Sequence, residues 1–206
     1  MKTSSWATRV RRLAAGGELV RARWPGAFTG RALSGEISAR NGVLESHETL
    51  PRGTSRMDMT WVTDRIAVGG GIWTADNMAA VARVGITHII DMQIEFDDTG
   101  LAEPHGIEVL WNPIDDDFQP KPPEILQRGV DFATAALDGD GTRLFIHCAA
   151  GVHRAPMMTL AVLCSMGWTQ EEAQDLIEKR RPVVDFADVY VRSVERFLDQ
   201  QVRAGK

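Results

Sequence analysis

Arg143-Leu144-Phe145-Ile146-His147-Cys148-Ala149-Ala150-Gly151-Val152-His153-Arg154-Ala155-Pro156 is the stretch that decides how this chain is read. Residues 143–147 form a short apolar run bounded by turn signals, as expected of a central buried strand. A helix is expected to open near Arg154. The segment between them has the properties of an anion trap. Ala149, Ala150 and Gly151 are small enough for backbone amides to converge, and Gly151 takes positive φ at no steric cost. The following helix presents its positive end. Arg154 supplies a planar cation that can grip two oxygens at once. A free thiol titrates near ~8.5, and a helix N-terminus with a neighbouring cation lowers such values by several units. A cradle that holds phosphate therefore also favours a thiolate, so nucleophile and electrophile meet in one place.

Outward from this stretch the pattern is regular. Residues 65–69 read as a strand ending in a glycine turn. Thr74 reads as an N-cap with Asn77 three residues on, and Met78, Val81 and Val84 follow at helical spacing up to Gly85. Residues 87–92 and 107–111 read as two more strands. Pro122 and Pro123 open a helix that stops at Asp138-Gly139-Asp140-Gly141. Further helices are expected over 154–167, 170–180 and 186–202. Strands alternating with helices imply an α/β fold, with a central, mostly parallel sheet of four to five strands and helices on both faces. Ligands bind beyond the carboxyl ends of such strands, where residues 148–154 fall.

Composition narrows the function classes. The chain has 206 residues, 44% of them hydrophobic and 25% charged, which suits a globular protein. Its net charge of −5 is uneven: Met1 to Arg56 holds ten Lys and Arg against four Asp and Glu, which leaves 13 against 24 beyond it. An acidic domain argues against nucleic-acid binding. Residues 1–56 read as a basic, flexible extension. A short helix over Trp6 to Val20, or a peripheral contact with a partner or an acidic membrane surface, are the other readings of that segment. Residues 57–206 read as the catalytic domain. The longest apolar run, Pro156 to Met166, falls well short of the ~20 residues that span a bilayer. Two cysteines, Cys148 and Cys164, give no disulfide framework, so a cytoplasmic location is expected. Cys164 reads as core packing.

The loop resembles the signature of the protein tyrosine phosphatase superfamily: His-Cys, five residues, then Arg. It is most similar to the dual-specificity branch, including regenerating-liver-type and atypical members, over roughly Asp64 to Leu198. The resemblance implies the cysteine-phosphatase fold, a phosphocysteine intermediate, and neither metal nor cofactor. It makes Cys148 the nucleophile and Arg154 the phosphate ligand. Residues Ala149, Ala150, Gly151, Val152 and His153 would line the cradle, with His147 and Ala155 in support. A general acid is expected after the strand ending at Trp111, in Asn112-Pro113-Ile114-Asp115-Asp116-Asp117-Phe118. The family pattern falls on Asp116, with Asp115 and then Asp117 behind it. Ala155 stands where most relatives carry Ser or Thr, which predicts slow hydrolysis of the phosphoenzyme. His153 either adds a donor over the phosphate or faces solvent. Arg180-Arg181-Pro182 either caps a helix or contacts substrate. Asp91, Met92 and Gln93 stand where some relatives keep a resolving thiol, so no protective disulfide is expected there.

The expected activity is hydrolysis of phosphomonoesters, on a phosphorylated protein or a small phosphoester, by a monomer. A phosphate-recognising binding module with little turnover is the main alternative. A rhodanese-type sulfur transferase is a third reading, disfavoured by the His-Cys entry and the upstream acid.

Overall fold

The computed structural model describes residues 57–204. The basic segment 1–56, with its expected helix and contacts, lies outside the described residues. Five strands form one sheet: β1 (Met59–Trp61), β2 (Ile66–Gly69), β3 (His88–Asp91), β4 (Glu108–Trp111) and β5 (Leu144–His147). Their order is β1-β2-β5-β3-β4, and only the edge pair β1–β2 is antiparallel. The three-residue β1 is too short for an alternating pattern, so its place beside β2 is a finding of the structure.

Side-chain alternation splits the core in two. Ile66, Val68, Ile90, Leu144 and Ile146 face one cluster, while Ala67, Ile89 and Phe145 face another. The second is covered by α1 (Ala75–Arg83) through Met78 and Val81. Thr74 caps α1 by accepting from the Asn77 amide at 3.2 Å. The first is covered by α3 (Pro123–Leu137), α4 (Arg154–Ser165), α5 (Gln170–Arg180) and α6 (Asp188–Ala204). Helices thus lie on both faces, as the strand–helix alternation implies. A short α2 (Thr99–Ala102) runs into a 3-10 turn over Glu103–His105. Helix α4 is the central one, with Arg154 through Leu163 buried on every side, which is why its sequence is apolar without a polar stripe.

Register sets the site. Gly69 and Asp91 both pair with His147, and Trp111 pairs with Asp91. Four strands therefore end level, and residues 148–153 leave that edge to enter α4. Among the described residues no helix is long and apolar enough to cross a membrane.

Candidate active site

The backbone of 148–154 closes into a cradle because its carbonyls are tied outward. Ala149 O accepts from the Gly71 amide at 3.0 Å, and Val152 O from the Asp185 amide at 3.0 Å. Arg181 donates from Nε to Gly151 O at 2.9 Å and from Nη2 to Ala150 O at 3.3 Å. In a trans peptide the N–H points opposite to the C=O. Fixing these four carbonyls outward turns the amides of Ala150, Gly151, Val152 and His153 inward. The Gly151 amide donates to Cys148 Sγ at 3.3 Å, in keeping with that orientation. Gly151 has φ +65°, and a Cβ there would meet the carbonyl of Gly69 at 2.5 Å, so both backbone and space require glycine.

Arg181 also meets Asp58 with two bonds, at 2.7 and 2.6 Å, and this holds the Asp58 carboxyl below the usual range. The residue at the end of α5 is thus a strut between β1 and the cradle. It neither caps α5 alone nor stands free for substrate.

Arg154 begins α4 and is 3% exposed. Glu95, just past β3, takes both terminal nitrogens of the guanidinium at 2.9 and 2.8 Å. Nη1 also donates to the carbonyls of Met92 and Ile114. Its Nε is buried and has no hydrogen-bond partner. The fork is therefore fixed on one edge and leaves a donor unused on the other. Arg154 holds Glu95 below the usual carboxylate range. Glu95 escapes a sequence reading, since an exposed acid past a strand end carries no signal beyond its position.

The three acids of the loop after β4 part company. Asp115 is exposed. Asp117 pairs with Lys121, which pulls its carboxyl below the usual range. Asp116 turns toward the cradle: Oδ2 lies 3.0 Å from His153 Nδ1 and 3.8 Å from Arg154 Nε, and Oδ1 accepts from Tyr190 Oη at 2.9 Å. The His153 side chain is 19% exposed, with Asp116 beside Nδ1 and Asp185 Oδ2 3.4 Å from Nε2. Tyr190 lies 74 residues from Asp116 in sequence, and nothing local marks the pairing.

Behind Cys148, His147 is sealed between two acids. Its Nε2 is 3.0 Å from Asp98 Oδ2 and its Nδ1 is 3.8 Å from Asp91 Oδ1, and all three side chains are 0% exposed. Neither approach is aligned as a hydrogen bond. Burial, with Asp98 nearby, pushes the Asp91 carboxyl up to about 7 against the pull of His147. Ala155 is fully buried, and the nearby Thr159 hydroxyl donates to the Ala155 carbonyl at 2.8 Å. Cys164 is a free thiol against the core, pushed up to about 11 by burial.

A thiol, a half-engaged arginine and a carboxylate thus gather at the carboxyl edge of a mostly parallel α/β sheet. Residues 72–200 match the family described as dual specificity phosphatase, catalytic domain, and the chain belongs to that family. It is 28% identical to protein phosphatase Slingshot homolog 3 of Rattus norvegicus over 131 residues, 62% of this chain and 19% of that one. It is 30% identical to protein tyrosine phosphatase type IVA 3 of Mus musculus over 101 residues, 48% of this chain and 57% of that one. The match thus spans about a fifth and just over half of those two relatives' lengths. Among solved structures, PTPMT1 in complex with PI(5)P superposes with a TM-score of 0.63 at 21% identity, covering 71% of this chain and 98% of that one. The active form of Tk-PTP gives 0.61 at 20% identity, covering 69% and 97%. Both establish the fold.

Proposed function

We propose that the chain hydrolyses phosphomonoesters through a phosphocysteine at Cys148. The observation that carries this reading is the tethering of the four loop carbonyls, which turns the amides after them inward, with the Gly151 amide on Cys148 Sγ and Arg154 Nε left without a hydrogen-bond partner. In the first step the thiolate forms an S–P bond while the P–O bond to the leaving group breaks. The leaving oxygen takes a proton from Asp116. In the second, water attacks phosphorus, Asp116 takes the water proton, the S–P bond breaks and inorganic phosphate leaves. Arg154 and the inward amides stabilise the charge on the equatorial oxygens in both steps. Residues Ala149 to His153 form the cradle, His147 and Ala155 lie behind it, and residues 57–206 are the catalytic domain. The substrate is a phosphorylated protein or a small phosphoester, met in a reducing compartment.

One observation favours slow turnover or a binding role. Ala155 offers no hydroxyl to the departing thiolate, and Thr159, one turn on, spends its own on the helix backbone. Hydrolysis of a nitrophenyl phosphate and an alkyl phosphate by the intact chain separates the readings. Cys148→Ser should abolish both activities. Asp116→Asn should lower kcat on the alkyl ester about 10²-fold or more and spare much of the nitrophenyl activity. Wild-type protein that binds phosphate but turns over neither ester would establish the binding module instead.

A further inference from the structure

Asp116 is held more elaborately than a loop acid needs to be. The Tyr190 hydroxyl donates to Asp116 Oδ1 and accepts the Phe118 amide at 3.0 Å. One oxygen of α6 thereby fastens both the acid and the backbone two residues on. Phe118 has φ +54°, in the left-handed region a bulky side chain avoids. Its half-exposed ring stacks on Tyr190 at 5.8 Å and meets His153 edge-on at 5.0 Å, which compensates that backbone. On the other carboxylate oxygen, His153 Nδ1 closes the hold, and Asp185 Oδ2 lies 3.4 Å from its Nε2.

We infer that Tyr190 and His153 are positioning residues that aim Asp116 at the leaving oxygen. The inference rests on the reading of Asp116 as the general acid. Tyr190 holds one carboxylate oxygen and His153 lies against the other, so the carboxyl is fixed on both sides. Removing either contact lets the carboxyl turn away, which lowers the rate wherever the leaving oxygen needs a proton. The other charges nearby are accounted for. Arg154 is held by Glu95, Lys121 pairs with Asp117 and lies 5.2 Å over the Tyr190 ring, and Asp185 faces His153 from beyond α5. Burial pushes the Tyr190 hydroxyl up to about 12, so it keeps its proton across the working range.

The test is kcat and KM for wild type, Tyr190→Phe, His153→Gln and Asp116→Asn, on the alkyl and nitrophenyl phosphates. Tyr190→Phe should lose about ten-fold more on the alkyl than on the nitrophenyl ester, in kcat with KM nearly unchanged. His153→Gln should show the same dependence on leaving group with a smaller rate loss, because glutamine keeps a donor. Equal losses on the two esters in both variants, while Asp116→Asn keeps its dependence on leaving group, overturn this inference alone. Equal losses of Asp116→Asn on both esters overturn the general-acid reading and this inference with it. Should Tyr190→Phe fail to fold, the partly exposed His153 still decides the matter.

Discussion

The cradle is flanked by two histidines, and each sits between two aspartates. On one side His153 lies between Asp116 and Asp185, with side-chain exposures of 19%, 29% and 67%. On the other, His147 lies between Asp91 and Asp98, all at 0%. The residue types are the same and the physics is opposite. The His153 side reaches solvent, and Asp116 there accepts from Tyr190 and lies 3.0 Å from His153. The His147 side is closed off beneath the sheet edge, and Asp98 keeps no hydrogen bond on either oxygen. Charges buried without full hydrogen bonding are costly and depend on their partners. The open triad can thus exchange contacts with solvent, while the sealed one depends on its own members. Substitutions on the open side should appear in rates, and those on the sealed side in stability.

The largest effect should come from His147→Ala. It empties a fully buried space between two carboxyls. A large-to-small change at such a site costs about 3–5 kcal/mol. The urea midpoint should fall accordingly with the slope unchanged. A change under about 0.5 kcal/mol would mean that the site closes without cost, and the contrast between the two sides would collapse.

What could be read in the sequence follows from how local each signal is. The run 143–156 shows the strand, the small-residue turn and the helix start because all three lie within 14 consecutive residues. The parallel sheet was legible from apolar runs and their glycine and proline stops. The ties that shape the site join distant residues. Arg181 reaches Asp58 across 123 positions, and Tyr190 reaches Asp116 across 74. No spacing marks such pairs. Among Asp115, Asp116 and Asp117 the family pattern favours Asp116, but its contact with Tyr190 has no sequence signal. Nothing in the sequence around Asp91 and Asp98 announces their complete burial.

A second test of the sealed side uses pH. Asp91 is raised to about 7 from an ordinary 3.8. The unfolded chain therefore releases this proton at lower pH than the folded one. The folded state's advantage is complete below about pH 4 and is lost as pH rises toward 7. Three units at about 1.4 kcal/mol each give a decline of about 4 kcal/mol at most. Asp91→Asn should flatten stability between about pH 4 and 7, measured by urea titration at each pH. An unaltered decline in the variant would assign the pH dependence to another group.

The smallest stability change should be that of His153→Gln, and it sharpens the comparison most. Its ion pairs are partly solvated, so each is worth about 0.2–1 kcal/mol. Glutamine retains an amide donor for Asp116, and the edge contact with Phe118 survives in part. Stability should stay within about 1 kcal/mol of wild type by urea titration, several-fold less than for His147→Ala. Two histidines six residues apart, each between two aspartates, would then differ by about 2–4 kcal/mol, a gap set by burial and by the milder substitution at the open site. Equal costs would show that the open triad is as rigidly required by the fold as the sealed one. Asp116 would then be fastened for stability, and the hold on it could not be released in the course of a reaction.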